Sequence, residues 1–424
     1  MLQRSDCRRP RFALAAFVAA VMALFVMSSR ADAAEPVKIG FGMSLSGPLA
    51  VNGKAALLAL QIWASDVNAK GGLVGRPVKL VYYDDQSNPT VVAALYEKLI
   101  TVDKVDLILG GYATNMIAPA VPVAMQKNMV LIGLLGLAVN SEFHYPKYFS
   151  MIPTGPDPEP AFTKGFFDIA MEQTPKPKTV AIVAADTEYS KNASDGARAN
   201  ADAAGLNIVY DKTYPPTMTD FAPVMRAVQT TNPDLVVICS YPADSVGIIR
   251  AADEIGFKPK MLGGAMVGLQ STEIKTSLGP LLNGIVNYDF WLPAPRLRFP
   301  GTMDFLKAYQ AKAATEGVDP LGYYIPPFAY AQAQVLGQAV SATEGFDQNK
   351  LADYIRSHTF QTILGDVTFA RNGEWTQSRV LQIQFQNIKG HDVEQFRDMS
   401  KQIVLWPKAY QAGTVIYPYA DARH

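Results

Sequence analysis

The chain has 424 residues, 49% of them hydrophobic and 18% charged, with 38 basic side chains balancing 38 acidic ones. Such a composition supports a large apolar core spread over two or three domains and argues against disorder. No block of five or more basic residues occurs, which speaks against nucleic acid as a partner, because phosphate binding needs a clustered positive face.

The N-terminus reads as an export signal covering residues 1–33. Arg4, Arg8, Arg9 and Arg11 precede the sixteen-residue apolar run Phe12–Met27, and Ala31-Asp32-Ala33 offers a small-residue cleavage site before Ala34. The run is shorter than the roughly 20 residues a membrane-spanning helix needs. Arg8-Arg9 raises twin-arginine export, although Cys7 and Pro10 fit that signal poorly. Cys7 leaves with the segment, so the mature product keeps one cysteine, Cys239, inside the apolar run Leu235–Cys239, and no internal disulfide is possible. An exported, disulfide-free and slightly acidic product suits a bacterial periplasm.

From Val37 onward, short apolar strands alternate with amphipathic helices, the pattern of βαβ units on a parallel sheet. Strands are predicted at Val37–Met43, Val78–Tyr83, Asp106–Leu109 and Met129–Gly133, with helices near Asn52–Lys70, Pro89–Val102 and Asn115–Lys127. Four prolines within Ile152–Pro160 predict a linker or hinge. The rhythm then restarts, with strands at Thr179–Ala184, Asn207–Tyr210, Leu235–Cys239 and Lys260–Leu262. Helices of this second series fall at Ser190–Ala204, Phe221–Thr230, Ser245–Ile255 and Ser271–Leu278. A Pro-rich passage at Trp291–Pro300 is followed by helices near Thr302–Ala314 and Phe328–Thr343, and Val367–Phe369 and Arg379–Gln386 alternate like hairpin strands. The predicted fold class is α/β, two doubly wound lobes joined by a multi-crossing hinge. Residues 34–153 plus about 291–365 form the N-terminal lobe, and 154–290 plus about 366–424 the C-terminal lobe. Ligands of such sheets bind beyond the carboxyl ends of the strands, which here is the cleft between lobes.

Residues that would do catalysis are hard to find. His144, His358, His391 and His424 lack metal-ligand spacing, and there is no H-E-x-x-H or C-x-x-C. Gly42-Met43-Ser44-Leu45-Ser46 misses the last glycine of a nucleophile elbow. The stretch from Gly47 to Gly53-Lys54 is one residue too long for a phosphate-binding loop. Asp84-Asp85 reads as a strand end before a helix cap rather than a metal site. No catalytic residue, metal or cofactor is predicted.

Four segments in order resemble the solute-binding receptors of the branched-chain amino acid transporter family. They are Val37–Pro48, Asn68–Arg76, Tyr83–Pro89 and Asp220–Pro223, and the resemblance runs over nearly all of residues 37–390. It implies a type I periplasmic binding protein fold with three interlobe crossings, monomeric, delivering a small ligand to an inner-membrane ABC permease with its ATPase subunits. In the loop Tyr112-Ala113-Thr114-Asn115, a helix start attracts a carboxylate, and the resemblance places Thr114 and the Tyr112 backbone on the ligand carboxylate. It also implies pocket roles for Gly136, Tyr189 and Tyr241, and for either Tyr323 or Tyr324.

Two departures from the family are informative. The loop Gly133–Asn140 is apolar where a Ser/Thr-rich segment is usual, and Ala265, followed by Met266, stands where amino-acid binders commonly carry a carboxylate for the ligand's α-ammonium. The expected ligand is therefore a carboxylate with an apolar or aromatic body and no α-amino group: a benzoate, a cinnamate or an aliphatic acid. Phe290 and Trp291 are candidates for an aromatic wall. The alternatives are a hydrophobic amino acid receptor whose clamp is relocated to Asp186, Asp244 or Asp289, and a periplasmic ligand sensor with the same fold.

Overall fold

The computed structural model describes residues 1–2 and 35–423, so the export signal lies outside the described residues. Two parallel sheets organise the rest. The first is built from β1 (Val37–Met43), β2 (Val78–Asp84), β3 (Leu107–Tyr112), β4 (Leu131–Leu134) and β5 (Tyr148–Ser150), ordered β2-β1-β3-β4-β5 with every pair parallel. β1, β3 and β4 are apolar runs with almost no exposed residue, as strands covered on both faces must be.

The second sheet takes β6 (Thr179–Ala185), β7 (Asn207–Tyr214), β8 (Leu235–Ser240), β9 (Met261–Met266) and β10 (Val286–Asp289) in parallel. The small antiparallel pair β11 (Phe360–Thr362) and β12 (Gly365–Val367) follows in the chain. β13 (Leu381–Phe385) and β14 (Gln402–Trp406) then complete the second sheet as antiparallel edge strands, giving the order β14-β13-β10-β9-β8-β6-β7. Val367–Phe369 and Arg379–Gln386 therefore do not form a hairpin with each other: one belongs to the small pair and the other to the second sheet.

Three further expectations need correction. The helix predicted at Asn115–Lys127 breaks into a turn at Thr114–Ile117, a 3-10 turn at Ala118–Ala120 and a helix at Val121–Gln126. Pro119 and Pro122 each remove a backbone donor, so one continuous helix cannot form. The Pro-rich linker ends at Asp157, because Pro158 and Pro160 occupy the first turn of the helix Pro158–Met171, where the missing N–H groups have no partner to lose. Four strands, β5, β10, β11 and β14, go unpredicted by the sequence pattern.

The helix Ile325–Thr343 returns to the first sheet. It packs on the helix Ala50–Ala69, and its Gln332 Nε2 donates to the carbonyls of Gly110 and Ile132 at 2.9 and 2.7 Å. Asp84 and Asp85 behave as strand-end residues. Asp84 accepts from the Leu45 and Ser46 N–H groups, Asp85 accepts from the Ser44 hydroxyl, and Asn88 caps the helix Pro89–Thr101.

Candidate functional site

In each sheet the strand order reverses, between β1 and β3 in the first and between β6 and β8 in the second. A crevice opens beyond the strand ends at such a reversal. Residues from both sheets meet there. Tyr189 N–H donates to Asn115 Oδ1 at 3.2 Å, and Asn192 Nδ2 donates to the Leu137 carbonyl at 2.9 Å. Beside them runs a cleft of about 370 Å³, lined by Val51 and Asn52 from the first half and by Pro242, Ser271 and Glu273 from the second.

On the first-sheet side, Ala113 adopts a positive φ of 81°, so the chain leaves β3 by a sharp turn that an L side chain adopts only under constraint. Thr114 follows, fully buried, with its hydroxyl accepting from the Leu137 N–H at 2.9 Å. The hydroxyl proton stays free to donate, but the helix it opens is a single turn of four residues, less than the helix start predicted. Tyr112 accepts from Asn52 Nδ2 at 3.0 Å, and burial pushes its hydroxyl up to about 12. Gly136 is tightly enclosed: a Cβ there would lie 2.8 Å from Val139 Cγ2 and 2.9 Å from Ile117 Cδ1.

On the second-sheet side, the Tyr189 hydroxyl donates to the Ala265 carbonyl at 2.9 Å, and its ring lies 5.3 Å from that of Tyr241. The Tyr241 hydroxyl is buried without a side-chain or backbone hydrogen bond among the described residues. Ala265 and Met266 end β9, both fully buried, and Asn287 on β10 holds Met266 by both its N–H and its carbonyl.

The structure separates the two candidate tyrosines that the sequence left open. Tyr324 faces Tyr112 edge-on at 6.5 Å, stacks on Phe290 at 5.8 Å, and its hydroxyl meets that of Tyr288 at 2.9 Å. Tyr323 instead packs against Trp291 and the Lys275 ammonium, and Trp291 donates to the Leu297 carbonyl. Of the two residues proposed as an aromatic wall, Phe290 joins the cluster and Trp291 turns away. Phe162, 4.6 Å from Tyr288 and 5.8 Å from Tyr189, completes the wall.

None of the three relocated acids is directed at Ala265. Asp186 is exposed, Asp244 accepts from the Tyr214 hydroxyl at 3.1 Å, and Asp289 faces the buried Lys275. Sequence reasoning misses Tyr288, Phe162 and Asn52. Tyr288 lies on a strand too short to show a period, and Phe162 lies in a helix disguised by its prolines. Among the described residues there is no cluster of potential metal ligands and no helix long and apolar enough to cross a membrane.

Two α/β sheets thus meet at their strand ends, with a polar-edged cleft between them and a cluster of buried rings and hydroxyls beside it, the architecture of a two-sheet binding protein. The chain belongs to the periplasmic binding protein family, whose model matches residues 36–389. It is 26% identical over 364 residues to the Leu/Ile/Val-binding protein homolog 8 of Brucella abortus (strain 2308), covering 83% of this chain and 89% of that one. Its fold is shared with the branched-chain amino acid transporter substrate binding protein of Streptococcus pneumoniae solved with isoleucine (TM-score 0.72, 19% identity, 91% of this chain and 100% of that one). It is also shared with an R. palustris ABC transporter solute binding protein solved with 4-hydroxybenzoate (TM-score 0.71, 21% identity, 84% of this chain and 94% of that one).

Proposed function

We propose that this chain is the periplasmic receptor of an ABC importer and that it captures a small carboxylate with an apolar or aromatic body and no α-ammonium. The observation that carries the reading is the methyl side chain of Ala265, buried beside Tyr189 where a carboxylate would be needed. Leaving a buried ammonium without its partner costs about 2–5 kcal/mol, a factor of roughly 30 to several thousand in affinity. The wall of Phe162, Tyr288, Phe290 and Tyr324 suits a flat or branched apolar body. The relatives span both choices, one solved with isoleucine and one with 4-hydroxybenzoate.

On this reading the two sheets are the cores of two lobes, with residues 34–153 and about 291–365 in one and the remainder of the mature chain in the other. The protein is exported by a signal cleaved before Ala34 and works as a monomer. Ligand bound by Thr114, Gly136, Tyr189 and Tyr241 favours the closed arrangement, which docks on the inner-membrane permease. The test is a thermal-shift comparison on purified residues 34–424 with matched acids, 3-phenylpropionate against phenylalanine and 4-methylpentanoate against leucine. Stabilisation by the deaminated acids alone supports the reading; stabilisation by the amino acids alone overturns it in favour of a relocated clamp. A ligand consumed during the assay would mark an enzyme.

A further inference from the structure

Behind the Gly136 loop lies a set of buried polar atoms without a hydrogen-bond partner among the described residues. The Tyr148 hydroxyl is completely buried and unpartnered among the described residues, and a Cβ on Gly136 would lie 3.3 Å from it. Ser150 Oγ sits 3.4 Å from the Gly136 carbonyl, and the Ser150 N–H donates to the Gly373 carbonyl at 2.9 Å. The following residue, Glu374, is 2% exposed, and neither of its carboxyl oxygens has a partner among the described residues. From the second-sheet side, the helix Glu188–Ala203 docks on the same loop through Asn192. The start of that helix brings the half-buried Glu188, together with the Thr187 and Ser190 hydroxyls, both buried and unpartnered.

Oxygen atoms crowd this place: two carboxyl groups and three hydroxyls without a partner, beside Ser150, with no cation bonded to any of them among the described residues. Buried polar groups are normally all paired, so the arrangement calls for an occupant that can both donate and accept a hydrogen bond, as a hydroxyl does. Burial holds Glu374 up to about 8 and, together with Glu142, holds Glu188 up to about 7. Burial above all, and then the Glu374 and Glu188 carboxyls, hold the Tyr148 hydroxyl far above its ordinary range.

We infer that Glu374, Tyr148 and Glu188 form a polar subsite beside the Gly136 loop that receives a hydroxyl substituent of the ligand. The inference rests on the carboxylate-receptor reading and refines it: the cargo carries a carboxylate, an apolar body and one hydroxyl group.

The test is calorimetry on residues 34–424 with two graded sets. The aromatic set is 3-phenylpropionate, 3-phenyllactate and phenylalanine; the aliphatic set is 4-methylpentanoate, 2-hydroxy-4-methylpentanoate and leucine. One hydroxy acid should bind about ten-fold or more tightly than its bare parent, as expected for a bond to a buried polar group, and the amino acid of the same set should gain nothing. In Glu374→Leu that preference should shrink to about two-fold or less while the bare acid binds as before; Tyr148→Phe gives the same reading should the first variant fail to fold. Equal affinities for bare and hydroxy acids, or a preference that survives both substitutions, would falsify the subsite and leave the receptor reading standing. Failure of every acid to bind would bring down both together.

Discussion

At Ala265 the side chain ends in a methyl group wholly removed from solvent, and the nearest hydroxyl, Tyr189, is committed to the Ala265 carbonyl. Ala265→Glu should lower the melting temperature of the free protein, since overpacking a filled site costs about 1–3 kcal/mol and the new charge is unpaired. It should also raise the affinity for leucine or phenylalanine relative to their deaminated partners, measured by calorimetry. Thr114→Ala removes the acceptor for a buried N–H as well as a donor, so a loss of about 1–2 kcal/mol is expected in stability and in carboxylate affinity alike. Glu374 gives a pH signature. The folded protein keeps a proton up to about pH 8 that the unfolded chain releases around the ordinary value of 4.5. Stability therefore falls as pH rises through that window, and the loss is complete above about 8. Melting temperatures should be lower near pH 9 than near pH 6, and Glu374→Gln should flatten that slope.

Among the elements, those with long apolar runs are legible in the amino-acid pattern alone. β1, β8 and the helix Pro89–Thr101 fall within a residue or so of their predicted limits, because an apolar run bounded by turn residues has only one buried solution. The errors gather where the chain is short or rich in proline. β5 and β10 have three and four residues, too few to show a period, and their existence follows from pairing with β4 and β9, which is tertiary information. The same limit explains the site: Thr114, Tyr189 and Tyr241 stand at ends of long, recognisable strands or loops, whereas Tyr288 and Glu374 reach it from short elements. Asn88 offers an element-scale check. Its side chain accepts from the Thr90 N–H at the start of the helix Pro89–Thr101, so Asn88→Ala should cost about 1 kcal/mol in chemical denaturation and leave ligand affinity unchanged.

For the molecule as a whole, the hydrogen bonds from Tyr189 to Asn115 and from Asn192 to Leu137 join the two halves across the cleft. A ligand present at about 100 times its dissociation constant adds about 2.7 kcal/mol of stability, enough to raise the melting temperature by a few degrees. If closure accompanies capture, small-angle scattering should show the radius of gyration falling on ligand addition. Asn192→Ala should weaken ligand binding without weakening either sheet. Cys239, the only cysteine beyond residue 33, lies at the centre of the second sheet with no exposure, and burial raises its thiol far above the ordinary range. A thiol reagent can reach it only when β8 is laid open. Native sulfur chemistry thus supplies a clock for the breathing of one half of the molecule, and a cargo that bridges the halves should slow it.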